Sequence, residues 1–373
     1  MARILFWCIG LGIILGGVDK LRGNRWGLGE KFVEGLNSIG PLAFSMVGMI
    51  CLAPYLADWL RPVAAAAQRI GLDGGLLGGL LSSDMGGFPL AKELAADQQM
   101  VGYGGILVGT TLGCVLVFLT PLALTLLSPS DLKIYAQGIL YGIIAIPFSS
   151  FLGGLLAGYS LKLLLVNTLP VLALSLLLVV GLLWKPDRVI FGCLVFGKGV
   201  SIFSMAGLIC AGLGVVTGWL PLSRMADTGD ALKTVGTIGV FLMGALPLMT
   251  LVTHACQGRI NSLVEKTHGK REDIVGLTIT LINPMPVFLL LKDMSERGKL
   301  RNVAFMVTSS CTFGDYLGFT ASVSPDMVLP MIGAKLVGGV LALCVEALFW
   351  KKQKAAAEKV RDCQNAVACL ENK

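Results

Sequence analysis

Two aspartates stand inside long apolar stretches of the chain, where an ionised side chain needs a specific partner. Asp84 lies in "LSSDMGGFPLAKEL", and Asp315 lies in "SSCTFGDYLGFTASVSP". A charged aspartate at the centre of a membrane helix costs about 2.5–3.5 kcal/mol, so each carboxylate is expected to face the protein interior and to hold a cation. The structural alternatives for Asp84 are a helix cap or an ion pair with Lys92. Both aspartates are therefore candidate binding residues for a cationic ligand.

Aromatic residues follow both carboxylates in the sequence. Phe88 comes shortly after Asp84, and Tyr316 comes directly after Asp315. A carboxylate beside aromatic faces suits a small organic ammonium, because ion pairing and cation–π attraction each contribute about 1–2 kcal/mol when desolvated. Packing in the core, or a place at the membrane interface, explains neighbouring aromatics such as Phe313 and Phe319 equally well.

Glycine and proline interrupt the helical pattern beside these candidates. The residues expected to break helices are Gly86, Gly87, Pro89, Pro284, Pro286 and Gly314. Backbone groups freed by such breaks are tolerated in a membrane only where protein covers them or where they line a wet cavity. Asn283, in "TLINPMPVFLLLKDM", adds an amide oxygen that can replace part of the hydration of an ammonium. A simple helix kink remains the alternative for the prolines.

The composition places these residues in a membrane protein. The chain has 373 residues, of which 55% are hydrophobic and 14% are charged, and its mean hydropathy is +0.78. Runs such as 102–127 and 327–350 are long enough to cross about 30 Å of hydrocarbon as helices. We predict an all-α polytopic membrane protein with about 10–11 transmembrane or re-entrant helices, some of them broken near the midplane.

The distribution of charge argues against nucleic-acid binding despite the net charge of +7. The lysines of "KKQKAAAEKVRD" follow the last apolar run, as expected for a basic cytoplasmic tail over 351–373. The N-terminal "MARILFWCIGLGIILGGVDK" lacks a small-x-small cleavage site and is predicted to be a retained helix. Among the embedded charges, Lys335 and Glu346 are expected near helix ends with their heads reaching water, and Lys198 is a candidate counter-charge for an aspartate.

An internal similarity relates two parts of the chain at an offset of 200 residues. It aligns Lys92–Glu93–Leu94 with Lys292–Asp293–Met294, and Ser83 with Asn283. We predict one transport domain over 1–350, with a first repeat at about 3–158, a linking helix at about 162–184 and a second repeat at about 189–350.

The orientation of the repeats depends on the short segments at 74–91 and 274–291. Full crossings make the repeats parallel and place the basic loop at 256–273 outside, whereas re-entrant hairpins make the repeats inverted. The sequence leaves both arrangements open. In transporters, paired short and interrupted segments of this kind point to a binding site near the membrane midplane.

Sequence motifs for ATP, dinucleotide or zinc-hydrolase chemistry are absent, and the ten cysteines form no C-x-x-C pair. We therefore expect no enzyme activity, no catalytic residues, no metal site and no cofactor.

The stretches "DMGGFPLAKELA" and "GDYLGFTA", with "EGLNSIGPLAFSMVGMICLAPYLA" upstream, resemble the ethanolamine utilisation transporter family, the EutH-type permeases, over nearly the full length. The resemblance implies a protein of the bacterial inner membrane that brings ethanolamine into the cell. The expected partners are ethanolamine and the lipid bilayer, with no nucleic acid and with a homo-oligomer as a possibility.

Ethanolamine is mostly a cation at neutral pH, and a negative cell interior attracts a cation by about 2.3 kcal/mol per 100 mV. Facilitated diffusion then needs no coupled ion. Asp84 and Asp315 are expected to bind the amine, while Asn283, Phe88 and Tyr316 shape the site. The alternatives are a proton- or sodium-coupled importer of ethanolamine or another small amine, and a non-transporting membrane scaffold or sensor for ethanolamine catabolism.

Overall fold

The computed structural model describes residues 2–81, 85–267 and 270–371, so Ser83 and Asp84 lie outside the described residues. Every element in this part of the chain is helical. The elements are α1 (Ala2–Leu21), α2 (Leu28–Asn37), α3 (Ile39–Arg69), α4 (Gly75–Leu80), α5 (Gly87–Leu94), α6 (Gln98–Gly102), the π-helical segments Tyr103–Gly113 and Val115–Leu119, α7 (Thr120–Leu126), α8 (Pro129–Leu156), α9 (Leu161–Trp184), α10 (Pro186–Thr217), α11 (Thr228–Thr267), α12 (Arg271–Thr280), α13 (Met285–Leu290), the 3-10 turn Leu291–Asp293, α14 (Glu296–Ser309), α15 (Asp315–Val323), the 3-10 turn Pro325–Met327 and α16 (Val328–Glu371).

Eight helical segments in the described chain are long and apolar enough to cross a membrane. They are Arg3–Leu21, Leu28–Arg69, Gln98–Leu126, Pro129–Leu156, Leu161–Trp184, Pro186–Thr217, Thr228–Ala255 and Pro325–Lys351. The predicted all-α polytopic membrane fold is thereby confirmed. Large apolar side chains such as Trp184, Phe191 and Ile202 are exposed on α9 and α10, as expected for helices that face lipid.

The segment 73–97, here called the first hairpin, returns to the end from which it starts. The carboxylate of Asp73 accepts hydrogen bonds from the backbone N–H groups of Gly75 at 2.7 Å and of Ala96 and Asp97 at 3.0 Å. Gly78 lies so close to Ala91 that an added Cβ would come 2.5 Å from the Ala91 nitrogen. Both arms therefore pack against each other, and this segment is a re-entrant hairpin rather than a crossing helix.

The segment 273–295, the second hairpin, is closed by the same kind of contact. The carboxylate of Asp273 accepts hydrogen bonds from the Ser295 backbone N–H at 2.9 Å and from its hydroxyl at 2.6 Å. Lys270 Nζ also donates to the Asp293 carbonyl at 2.7 Å. Asp73 and Asp273 are 200 residues apart, which is the offset of the predicted repeat.

Helices that this offset pairs run in opposite directions. Between α3 and α11, Ile39 lies against Gly239, while Cys51 lies against Thr228. Between α8 and α16, Ser149 donates to the Ala334 carbonyl at 2.8 Å, and an earlier α8 residue, Tyr141, stacks on a later α16 residue, Phe349. The two halves thus have inverted directions, and the hairpins enter the helix bundle from opposite faces.

Candidate functional site

The tip of the second hairpin is joined to the break between α14 and α15. The backbone N–H of Cys311 donates to the Thr280 carbonyl at 3.0 Å, and that of Phe313 donates to the Leu281 carbonyl at 2.8 Å. Gly314 lies directly against the Ile282 carbonyl oxygen, leaving no room for a Cβ. Because Gly314 precedes Asp315, this close approach brings the start of α15 beside the hairpin tip.

A cavity of about 390 Å³ lies where this junction faces α3 and α10. Its polar lining consists of Ser38, Ser45, Ser201, Ser204, Asn283 and Asp315, and its apolar lining includes Phe44 and Phe118. The structure therefore brings two of the predicted site residues, Asn283 and Asp315, to one cavity. Among the described lining residues, Asp315 is the one charged side chain.

The four serines of the cavity present hydrogen-bond acceptors. Each hydroxyl donates its proton to a backbone carbonyl, leaving oxygen lone pairs for a ligand. The bonds are Ser38 to Glu34 at 3.0 Å, Ser45 to Leu42 at 3.1 Å, Ser201 to Gly197 at 2.9 Å and Ser204 to Ser45 at 2.7 Å. A ligand that matches this lining must bring hydrogen-bond donors and a positive charge.

Asn283 has a structural role in addition to its place at the cavity. Its Oδ1 accepts a hydrogen bond from the Met285 backbone N–H at 2.9 Å, at the start of α13. Pro284 precedes α13 and Pro286 lies in its first turn, where a missing N–H costs no helical hydrogen bond. The prolines thus start a helix, and the break lies immediately before them.

The break in the first hairpin has the same form. Helix α4 ends at Leu80 and α5 begins at Gly87, with Gly86 at its N-cap. Pro89 lies in the first turn of α5, where proline is tolerated. The predicted break therefore lies just upstream of Gly86, and the stretch between the arms includes Asp84, which is outside the described residues.

Tyr316 does not line the cavity, because its side chain is 1% exposed and contacts an internal cation. Lys335 Nζ lies 4.5 Å from the centroid of the Tyr316 ring and donates a hydrogen bond to the Thr110 carbonyl at 2.7 Å. The expectation that Lys335 reaches water is wrong, since it is 1% exposed two turns into α16. Phe88 is likewise not part of the cavity lining. Its ring meets the Phe319 ring edge to face, with 6.3 Å between the ring centroids.

Glu346 is likewise buried, at 1% exposure, rather than reaching water. Arg297 and Arg301 hold its carboxylate at 2.9 and 3.3 Å, which joins the start of α14 to the middle of α16. Lys198, the other embedded charge, is exposed on α10. This exposed position does not support a counter-charge for one of the two aspartates, so that role of Lys198 stays a prediction.

Comparison with known proteins gives the same family over nearly the whole chain. A family model described as "Ethanolamine utilisation protein, EutH" matches residues 1–349. The chain belongs to the EutH family. It is 39% identical over 345 residues, 92% of each chain, to the "Probable ethanolamine permease EutH" of Listeria monocytogenes serotype 1/2a (strain 10403S).

Two further relatives of this EutH chain have similar coverage. The protein named "Uncharacterized protein YxeR" of Bacillus subtilis (strain 168) is 36% identical over 361 residues, covering 96% of this chain and 95% of the relative. The "Probable ethanolamine permease EutH" of Escherichia coli (strain K12) is 35% identical over 359 residues, covering 89% and 88%. No solved structure matches the chain.

In this EutH protein, the serines of the cavity are the residues that the sequence prediction missed. Serines in membrane helices commonly bond their own backbone, so their presence alone predicts no site. The helix packing brings them together, because Gly48 of α3 and Gly207 of α10 meet backbone to backbone. Small residues that permit such close approach were the one sequence feature that could have paired these helices.

Proposed function

We propose that this EutH protein carries ethanolamine, as the ethanolammonium cation, across the bacterial inner membrane into the cell by facilitated diffusion. The observation that carries the proposal is the composition of the cavity lining. Asp315 provides a negative charge, and Asn283 and the serines provide oxygen acceptors. The names of the EutH relatives, which describe probable ethanolamine permeases, agree with this ligand.

Ethanolammonium has the donors that such a lining needs. Its ammonium group has three N–H donors, and its hydroxyl group donates one more hydrogen bond. Four heavy atoms occupy on the order of 100 Å³, judged from the share of one water molecule in the liquid. A cavity of about 390 Å³ therefore has room for the ligand with several waters. A substrate that keeps part of its hydration binds less tightly. Weak binding suits a carrier, because the substrate can leave again.

The inverted hairpins provide a route for alternating access. In transporters with inverted repeats, the substrate site lies where interrupted helices from opposite faces meet, and the halves exchange conformations. Here the tip of the second hairpin supplies Asn283, and its hydrogen bonds to the α14–α15 break place Asp315 beside it. We infer that Asp84, on the first hairpin, contributes a second carboxylate to the amine site from the opposite half.

The positions of the basic residues favour a cytoplasmic C-terminus. Arg297 and Arg301 contact Glu346, so the open end of the second hairpin lies beside the end of the last apolar span. With hairpins instead of crossings, the basic loop at 256–273 and the basic segment 292–301 fall on the same side as the lysine-rich tail. This grouping follows the positive-inside rule, which eleven full crossings violate at 256–273.

Uptake of labelled ethanolamine into proteoliposomes tests the proposed site. We expect Asp315→Asn to lower the initial rate at least tenfold, because the amide removes the ion pair with the ammonium. The matched control is Asp326→Asn, the same chemical change at an exposed position outside the cavity, which should transport like the unmodified protein. Equal rates for both variants would show that Asp315 does not bind the substrate.

A further inference from the structure

Lys335 is a buried amine that the proposed substrate cavity does not use. It lies in α16 with 1% of its side chain exposed. A lysine in an apolar interior loses the hydration of its ammonium, and this loss must be replaced by specific contacts. The contacts of Lys335 therefore indicate what this part of the protein can bind.

Contacts of this amine come from two elements in the described part of the chain. The Thr110 carbonyl, in the π-helical segment Tyr103–Gly113, accepts its hydrogen bond at 2.7 Å. The Tyr316 ring centroid, in α15, lies 4.5 Å from the Lys335 Nζ atom. Ser309 of α14 donates to the backbone carbonyl of Lys335 at 2.8 Å and so holds α16 against α14. The Thr110 hydroxyl is also buried and has no hydrogen-bond partner among the described residues. A carbonyl oxygen and an aromatic face together form a binding site for a small cation.

The corresponding position of the other half holds no charge. Tyr135 stands in α8, 200 residues before Lys335, and is also buried. Its hydroxyl lies 3.2 Å from the Thr120 hydroxyl, and its ring contacts Phe288. An uncharged residue thus serves the packing at that position, so the helix arrangement alone does not require a lysine at 335.

We propose that Lys335 is a tethered cation that occupies a cation site formed by the Thr110 carbonyl and the Tyr316 ring. The site takes small alkylammonium ions when the lysine side chain is removed. Because Tyr316 directly follows Asp315, the tethered ammonium holds α15 against the π-helical segment without a cation from solution. This role deepens the proposed transport function, because a tethered cation replaces a coupling ion from solution at this site. That consequence rests on the proposed function, whereas the cation site itself is testable without transport.

Thermal unfolding of Lys335→Ala in detergent tests the site. Alanine keeps Cβ, so n-propylammonium supplies the three missing carbons and the nitrogen, whereas 1-propanol of nearly the same shape lacks the charge. We expect propylammonium at one hundred times its Kd to raise the unfolding midpoint of Lys335→Ala by about 3 °C. We expect no rise with 1-propanol.

Lys335→Met is the matched control, because methionine fills most of the same space without a charge. Propylammonium should leave the midpoints of Lys335→Met and of the unmodified protein unchanged. If Lys335→Ala folds poorly, the readout is the yield of monodisperse protein prepared with propylammonium relative to the yield prepared with 1-propanol. Equal yields, equal midpoint shifts with both compounds, or the same shift in Lys335→Met would overturn the proposal.

A transport measurement separates this inference from the proposed function. If the unmodified protein takes up no ethanolamine, the proposed function fails, but the unfolding experiment still decides the cation site. If the unmodified protein transports and propylammonium stabilises none of the variants selectively, the transport function stands and the tethered-cation role of Lys335 fails.

Discussion

Gly314 joins the tip of the second hairpin to the α14–α15 break, and Gly314→Ala should separate the two. An added Cβ overlaps the Ile282 carbonyl oxygen, which is a backbone atom and cannot rotate away. The tip must shift, and this shift breaks the hydrogen bonds from Cys311 to Thr280 and from Phe313 to Leu281.

The size of the effect follows from those two bonds. Each backbone hydrogen bond contributes about 1 kcal/mol net, so their loss destabilises the joined arrangement by about 2 kcal/mol, or about 30-fold in its population. We expect the ethanolamine concentration that half-saturates uptake to rise by about this factor. The thermal unfolding midpoint should fall by about 2 °C.

The assay is uptake into proteoliposomes over a range of ethanolamine concentrations, with thermal unfolding of the same preparations. Gly212→Ala, on α10, is the matched control, because an added Cβ there has no neighbour within 4 Å. A Gly314→Ala protein with the uptake and stability of Gly212→Ala would refute the junction as the element that positions Asp315.

Three further predictions concern the hairpins, the cavity and the topology. Asp273→Ala should lower the unfolding midpoint by several degrees because it leaves the Ser295 N–H unpaired. Asp73→Ala should have the same effect in the other half. The control Asp293→Ala, at an exposed position, should leave the midpoint unchanged. Ser204→Ala removes one acceptor and should raise the half-saturating ethanolamine concentration about tenfold, whereas Thr217→Val, at the exposed end of the same helix, should not. In a protein whose ten cysteines are all changed to serine or alanine, new cysteines at 270 and 351 should react with an impermeant maleimide from one face of the membrane, and a new cysteine at 162 should react from the other. Labelling of 270 and 162 from the same face would contradict the inverted hairpins.

Hydropathy was sufficient to predict the membrane fold, because apolar runs of membrane length have few alternatives. It could not decide the path of 74–91 and 274–291. A run of that length serves equally as one crossing helix or as two short arms. The contacts that decide it, from Asp73 to Ala96 and from Asp273 to Ser295, join residues more than twenty positions apart. The local hydropathy pattern does not indicate contacts between residues so far apart in the sequence.

The candidate site was predicted in part. Asp315 and Asn283 were identifiable because polar groups are costly in apolar stretches, and both line the same cavity. The predictions that Phe88, Tyr316 and Asp84 belong to the substrate site remain predictions. The depth of Lys335 was predicted wrongly, since it depends on how α16 packs on α14 and the π-helical segment rather than on its place in the sequence.

Uptake driven by membrane potential alone tests the central claim most directly. Proteoliposomes with an imposed inside-negative potential, no pH gradient and no sodium should accumulate labelled ethanolamine by about tenfold for each 60 mV, as expected for a cation that needs no coupled ion. Asp315→Asn should abolish most of this uptake, and Asp326→Asn should preserve it. Uptake that does not respond to the potential, or that requires a proton or sodium gradient, would contradict facilitated diffusion of ethanolammonium.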